Sequence, residues 1–344
     1  MLQAAESLST RVRTGEARAS TSRCLVALVF LFTLPSVARP QEALTSELRQ
    51  VDPYKISVSV DSVVLHATVE NHKGTPVSGL GKDDFQVYED GALQQIEYFS
   101  HEDIPVTVGL VLDNSGSMGP KRDEVIAAAM AFARSSNPQD QMFVVNFNEH
   151  VSFGLPANTP FTDQTAQLQI ALSRFRTNGE TALYDALAAA LDHLKKGNRD
   201  KKVLIVVSDG GDNASKYKLS QILAMAGQSD AIIYAIGIYT EEDPDQNPNA
   251  LRQLSKATGG EAFFPQSVPE VVPLCERIAH DIREQYTIAY APANRKQDGA
   301  YRVIQVKAMA PGHGRLSVRT RAGYYAPSKP QPLAPLAGSQ SNRP

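Results

Sequence analysis

The chain has 344 residues, which at about 150 residues per domain predicts roughly two domains with tails. Hydrophobic residues make up 42% of it and charged residues 21%, a globular composition that excludes a collagen, a coiled coil and a wholly disordered chain. Its formal net charge of -3 excludes the strongly basic character of a typical nucleic-acid-binding domain.

The first forty residues have the pattern of a secretory signal. Four arginines, the last of them Arg23, precede an apolar run from Leu25 to Leu34, and Ala38 closes a Ser-Val-Ala sequence after it. The apolar run is shorter than the about 20 residues that a membrane-spanning helix needs. We therefore expect residues 1–38 to be a cleaved signal peptide and the protein to be exported, to the periplasm, the cell envelope or the medium. An uncleaved membrane anchor is the alternative.

Cysteine and histidine usage limits the covalent and metal chemistry. Cleavage after Ala38 removes Cys24 and leaves Cys275, which cannot form an intrachain disulfide on its own. Cys275 lies in an apolar stretch, and so we expect a buried, unreactive thiol. The seven histidines show no spacing typical of a structural zinc site.

Residues 54–102 alternate apolar and polar side chains with a period near two, which predicts half-exposed antiparallel strands. Ile56–Val60 and Leu65–Val69 are one expected pair. Phe85–Val87 and Ile96–Phe99 are a second, and Asp90-Gly91 between them is typical of a hairpin turn.

A different pattern begins at Pro105. Val106–Leu112 is almost continuously apolar, which predicts a strand buried on both faces of a parallel sheet. Strands and helices then alternate, which predicts a doubly wound, mostly parallel sheet of Rossmann-like type. The further predicted strands are Met142–Phe147, Val151–Leu155, Val203–Ser208, Ile232–Ile238 and Glu261–Phe264. The predicted helices start with Pro120 in a first turn and continue with Gln164–Phe175, Ala182–Leu194, Leu219–Gly227, Leu251–Ala257 and Val271–Glu284.

The period-two pattern returns after Gln285 and predicts two or three more strands. Neither flank alone is large enough for an independent sandwich. We therefore expect residues 54–102 and 285–325 to pair into one small antiparallel β-sandwich domain, into which the α/β domain, residues 103–284, is inserted. Residues 326–344 are rich in proline and predict a disordered tail.

Three loops bring oxygen-bearing side chains to one edge of the predicted parallel sheet. Asp113, Ser115 and Ser117 follow the first buried strand, Asp209 follows a later one, and Thr181 opens a helix. Loops at the carboxyl ends of parallel strands cluster, and so we expect these side chains to meet. Two carboxylates and three hydroxyls are hard donors that suit Mg²⁺, with Mn²⁺ also accepted and Ca²⁺ less well served by so few oxygens. Taken alone, the first loop would fit a simple helix cap equally well.

Such a site leaves the charge of the ion incompletely offset and one coordination position open. A carboxylate from a partner fits there, and so the expected partner is a protein that presents Asp or Glu.

The three motifs resemble the metal-ion-dependent adhesion site of the von Willebrand factor type A domain family. They are Asp-Asn-Ser-Gly-Ser at 113–117, Gly-Glu-Thr at 179–181 and Ser-Asp-Gly at 208–210, and the resemblance covers about residues 104–284. It implies a protein-binding or adhesion module that is not an enzyme. It also implies that Ser115, Ser117 and, in some states, Thr181 contact the ion directly, while Asp113 and Asp209 act through water. The flanks resemble exported bacterial proteins in which this domain lies beside a β module.

Enzymatic alternatives lack their motifs. A magnesium-dependent phosphotransferase of the haloacid-dehalogenase type needs a second aspartate where Ser115 stands. A serine hydrolase would need a Gly-x-Ser-x-Gly turn, and only His150 or His193 is available as a base. A Rossmann dehydrogenase needs Gly-x-Gly-x-x-Gly after the first strand. A structural, scaffolding protein of the cell envelope remains open as an alternative function. Asp185 and Asp212 are expected to support the site rather than bind the ion.

Overall fold

The computed structural model describes residues 62–174, 176–239 and 245–328. It confirms the predicted fold class: a six-stranded, mostly parallel sheet flanked by helices, together with two four-stranded antiparallel sheets. The predicted signal peptide, the predicted strand Ile56–Val60 and residues 329–344 of the predicted tail lie outside the described residues.

Fourteen strands lie within the described ranges. In chain order they are β1 (Val63–Glu70), β2 (Phe85–Glu89), β3 (Ala92–Gln94), β4 (Ile96–Ser100), β5 (Val106–Asp113), β6 (Gln141–Phe147), β7 (Val151–Phe153), β8 (Lys201–Ser208), β9 (Ala231–Gly237), β10 (Ala262–Phe263), β11 (Tyr286–Tyr290), β12 (Tyr301–Ala308), β13 (Ser317–Arg319) and β14 (Gly323–Tyr325). The α-helices are α1 (Arg122–Ser135), α2 (Thr165–Ser173), α3 (Leu183–Leu194), α4 (Leu219–Gln228), α5 (Pro248–Thr258) and α6 (Val271–Arg283).

The parallel sheet has the strand order β10-β9-β8-β5-β6-β7, and only β7 runs antiparallel to its neighbour. All eight residues of the central strand β5 are buried, as its continuous apolar sequence predicts. The helices supply the cover: α1 packs against α2 and α6, and α3, α4 and α5 pack in succession. Every helix among the described residues is too short or too polar to cross a membrane.

The two antiparallel sheets have the orders β13-β1-β11-β4 and β14-β12-β2-β3. Strands from before and after the parallel sheet pair directly: Leu65 of β1 lies opposite Ile288 of β11, and Val87 of β2 lies opposite Val306 of β12. These four side chains belong to a hydrophobic core separate from that of the parallel sheet. The α/β unit therefore occupies the connection between β4 and β11, two strands that also pair with each other.

Buried polar contacts join the α/β unit to the antiparallel sheets. The Gln285 amide donates hydrogen bonds to Thr68 Oγ1 of β1 and to the Tyr234 hydroxyl of β9, both at 3.1 Å. Arg319 of β13 forms ion pairs with Glu70 at 3.3 Å and with Glu261 at 3.1 Å. A buried amide with partners on both units disfavours separation, because separation would leave its hydrogen bonds unmade.

Several local expectations need correction. Pro120 does not lie in the first turn of α1 but in a short 3-10 helix, Gly116–Lys121. At the end of this helix, the buried Lys121 ammonium donates a hydrogen bond to the Ile238 carbonyl at 3.0 Å. β14 is a strand that periodicity did not predict. β1 pairs with β11 and β13, and its expected partner Ile56–Val60 lies outside the described residues. By contrast, Cys275 is buried as expected, and burial raises the pKa of its thiol to about 12.

Gly109 in the middle of β5 leaves room for side chains of the two neighbouring strands, β6 and β8. A Cβ at this position would lie 2.6 Å from Leu204 Cδ2 and closer still to the Phe143 ring. We expect Gly109→Ala to lower the free energy of unfolding by about 2 kcal/mol, because the added methyl group overpacks the core. Urea denaturation would measure this. Gly81→Ala is the control, since the nearest atom to its Cβ would be Asp84 Oδ2 at 3.8 Å; equal effects of both substitutions would contradict the packing argument.

Candidate metal centre

Asp113 ends β5, and its carboxylate is fixed between two neighbouring strands. Its Oδ1 accepts a hydrogen bond from the Ser115 backbone N–H at 2.8 Å, and its Oδ2 accepts one from Ser208 Oγ at 2.6 Å. Ser208 ends β8, which pairs in parallel with β5. Only 3% of Asp113 is exposed, and so this carboxylate is held rigidly below the rim of the sheet.

Two serines and a second aspartate meet above Asp113. Ser115 Oγ and Ser117 Oγ lie 3.2 Å apart, and Ser117 Oγ donates a hydrogen bond to Asp209 Oδ2 at 2.7 Å. The other carboxylate oxygen of Asp209 accepts from the Gly211 N–H at 2.9 Å. The structure thus brings together side-chain oxygens from the ends of β5 and β8, two of the three predicted loops.

Thr181 is tied to both of these loops through its own loop. The Gly116 N–H donates to the Gly179 carbonyl at 3.1 Å, which joins the first loop to the residues just before Thr181. The Thr181 N–H donates to Asn213 Oδ1 at 2.8 Å, and the Thr181 carbonyl accepts from the Asn213 N–H at 3.0 Å. The Thr181 residue is 7% exposed. The assignment of the five side chains as ligands stays a prediction.

Glu149 is a rim residue that the sequence patterns do not indicate. It follows β6 at the same sheet edge, and a Cβ on Gly179 would overlap its carboxylate. Gly179 has a φ of 79°, a conformation that favours glycine. Glycine is therefore required here for two reasons: its backbone conformation and the space that Glu149 occupies. Glu149 Oε2 is buried and has no hydrogen-bond partner among the described residues.

The electrostatics of the cluster suit a cation. Burial, and then the nearby charge of Asp209, raise the pKa of Asp113 to about 6, while hydrogen bonds from Ser115 and Ser208 act in the opposite direction. A divalent ion beside the two carboxylates would relieve this repulsion. The donors are all hard oxygens, and so they fit Mg²⁺ or Mn²⁺. Within the described ranges no three His, Cys, Asp or Glu side chains form a cluster suited to a metal, and the candidate centre itself combines two carboxylates with hydroxyl oxygens.

Asp185 and Asp212 hold a neighbouring loop in place. Asp212 Oδ1 accepts hydrogen bonds from the Tyr184 N–H at 3.2 Å and from Ser215 Oγ at 2.5 Å. Asp185 Oδ1 accepts from the Lys216 N–H at 2.9 Å and from the Tyr217 N–H at 3.0 Å. Both carboxylates are therefore engaged in supporting this loop.

The described residues do not assemble a serine nucleophile with a histidine base. His193 Nε2 lies 2.8 Å from the Pro160 carbonyl, and the nearest charged partner of His150 is Glu149 at 3.6 Å. Ser117 Oγ instead bonds to Asp209. A hydroxyl needs a base within hydrogen-bond reach to act as a nucleophile, and so this geometry does not favour acyl transfer.

The raised pKa of Asp113 predicts a pH dependence of stability in metal-free buffer. The folded-state pKa of about 6 exceeds the unfolded value near 3.8, and so the stabilising proton is fully bound below pH 4 and is lost as the pH rises through 6. Between pH 4 and pH 7, the wild type should lose on the order of 2 to 3 kcal/mol of unfolding free energy relative to Asp113→Asn. Urea denaturation of both proteins in chelator measures the difference. Parallel pH profiles would contradict the expectation.

Part of the chain is similar to a known protein family and to several solved structures. Residues 107–273 match the family model of the von Willebrand factor type A domain. A solved von Willebrand factor type A from Catenulispora acidiphila is similar at 15% identity and a TM-score of 0.49, over 78% of this chain and 75% of that chain. The vWF domain of the type V pili tip protein Mfa5 from Porphyromonas gingivalis is similar at 14% identity and a TM-score of 0.42, over 52% and 95%. BatB from Bacteroides thetaiotaomicron is similar at 15% identity and a TM-score of 0.41, over 51% of this chain and 98% of that chain.

The matched residues run from β5 to the beginning of α6 and include all five candidate ligands. This part of the chain belongs to the von Willebrand factor type A domain family.

Proposed function

We propose that the protein is an exported binding module that captures a partner protein through a magnesium-type ion at the Asp113 loop and catalyses no reaction. Von Willebrand factor type A domains are commonly protein-binding or adhesion modules and are in general not enzymes. The observation that carries the proposal is the convergence of Ser115, Ser117 and Asp209 oxygens above the buried Asp113 carboxylate.

The donor set favours binding of an anionic partner. The charges of Asp113 and Asp209 would equal that of a divalent ion in formal count but would offset it incompletely. Ser115, Ser117 and Thr181 would add only neutral oxygens. The ion would supply a localised positive charge at the rim, where a partner's carboxylate is the matching ligand. The protein's own residues do the rest: Ser208 and the Ser115 N–H orient Asp113, and the Gly211 N–H orients Asp209.

Export is supported by the N-terminal sequence. Residues 1–38 combine a basic flank, a short apolar run and a small-residue ending, the pattern of a secretory signal. The single remaining cysteine, Cys275, is buried with a raised pKa, and so it is poorly reactive in an oxidising compartment.

Magnesium uptake is the first test. At one hundred times its dissociation constant, Mg²⁺ should stabilise the wild type by about 2.7 kcal/mol against unfolding, because it binds only the folded state. Asp113→Ala should lose this stabilisation and show no heat of binding in titration calorimetry. The control is Asp192→Ala, which removes an exposed carboxylate that pairs with Lys195 and should keep the full effect. Equal stabilisation of all three proteins would contradict a site at Asp113.

Partner capture is the second test. The mature protein, immobilised as bait, should retain an envelope protein in magnesium and release it in chelator, because the ion bridges the two proteins. Asp113→Ala should retain none, whereas Asp192→Ala should behave as the wild type. Capture that survives both the chelator and Asp113→Ala would favour a scaffolding protein of the envelope over a metal-dependent binder.

A further inference from the structure

Three consecutive exposed side chains follow Asn213, the residue that is hydrogen bonded to Thr181. They are Lys216, Tyr217 and Lys218, called here the Lys-Tyr-Lys segment, and they lie between β8 and α4. All three are exposed, and Tyr217 exposes 42% of its surface. An exposed aromatic residue between two cations contributes nothing to either hydrophobic core, and so packing does not account for it.

The backbone of the segment is held at each residue. Asp185 Oδ1 accepts the N–H groups of both Lys216 and Tyr217, and the Lys218 N–H donates to Gln221 Oε1 at 2.9 Å. Just before the segment, Ser215 Oγ donates to Asp212 and accepts from the Asp185 N–H at 3.0 Å. The side chains are thus presented from a fixed loop, which lowers the entropy lost when a partner binds.

The segment lies close to the proposed ion. Asn213 is hydrogen bonded to Thr181 in both directions, through its side chain and its backbone N–H. Lys216 is three residues further on, and so its Cα lies at most about 11 Å from that of Asn213. An extended peptide covers the about 11 Å between Asn213 and Lys216 in about three residues.

The charges around the rim are unevenly distributed. Glu149 packs on Gly179 and Glu180 is exposed, both on the loops that precede Thr181. One further carboxylate, Asp245, lies beside Asn213, and its Oδ2 accepts from Asn213 Nδ2 at 3.1 Å. The stretch before Thr181 also carries two exposed cations, Arg174 and Arg176, whereas the two lysine ammoniums are the cations that an acidic chain would meet on the other side of Thr181.

We infer that the Lys-Tyr-Lys segment is a second contact for the partner and selects chains in which the metal-bound acid is accompanied by a second acid close by. This inference rests on the proposed function, whose metal site supplies the first contact. Lys216 and Lys218 pair with the second carboxylate, and Tyr217 packs its ring on the intervening residue. A rigid tyrosine adds contact area at a low cost in side-chain entropy.

Two synthetic peptides test the selection. Gly-Ser-Asp-Gly-Ser-Gly offers one acid and Gly-Ser-Asp-Gly-Asp-Gly offers two, and both are immobilised on a sensor surface in magnesium buffer. The wild type should bind the two-acid peptide about fivefold more tightly, the size of effect expected of charge pairs at a surface. The Lys216→Glu/Lys218→Glu double variant should lose this preference while its magnesium uptake, followed by calorimetry, stays unchanged.

A matched charge change provides the control. Lys73→Glu/Lys82→Glu alters net charge equally at exposed lysines near β1 and β2, and it should keep the fivefold preference. Tyr217→Ala should weaken binding of both peptides about threefold, and Tyr217→Phe should restore it, because the ring rather than the hydroxyl makes the contact.

The outcomes separate this inference from the proposed function. Magnesium-dependent capture of both peptides with equal affinity would overturn the inference alone. A preference that persists in the Lys216/Lys218 variant, or that is lost equally in the Lys73/Lys82 control, would also overturn it. Failure to capture either peptide in magnesium would overturn the inference and the proposed function together.

Discussion

Two like charges, Asp113 and Asp209, are buried at the ends of the adjacent parallel strands β5 and β8, and the local structure follows from keeping them there. They are 3% and 2% exposed, so water can do little to separate their charges. Donors from Ser208, Ser117 and two backbone N–H groups offset part of the cost of burying these charges, yet burial, and after it the charge of Asp209, still raises the pKa of Asp113. A cation bound between the two carboxylates would offset the cost that is left, and the proposed metal site rests on this electrostatic argument.

The need to hold Asp113 and Asp209 in place also accounts for the hydrogen bonds between the surrounding loops. Besides the hydrogen bonds within each loop, backbone hydrogen bonds and one side-chain hydrogen bond join the rim loops to one another: Gly116 to Gly179, Thr181 to Asn213 and Asn178 to Asn114. Asp185 and Asp212 extend this network to the Lys-Tyr-Lys segment. A site assembled from separate stretches keeps its geometry only if its supporting residues hold the loops in place, and these hydrogen bonds between loops do so.

Much of this could be predicted from the sequence, for identifiable reasons. The unbroken apolar run before Asp113 leaves no exposed face, and so a sheet covered on both sides follows from it. Strand direction alone brings Asp113 and Asp209 to one edge. Sequence periodicity cannot predict features that depend on contacts between distant residues. β14 is only three residues long and forms by pairing with β12. Glu149 lies at the rim because Gly179 leaves space for its carboxylate. The 3-10 helix that contains Pro120 depends likewise on the remote anchor between Lys121 and Ile238.

The insertion of the α/β unit between β4 and β11 has a mechanical consequence. The unit is joined to the antiparallel sheets by two covalent crossings, and the strands on either side of them are neighbours paired in one sheet. Tension applied at the rim would therefore divide between two parallel tethers, and both would pull on β4 and β11 from the same side. A single tether would carry the whole load and could peel one strand away, whereas the doubled attachment shares it across a closed hydrogen-bonded pair.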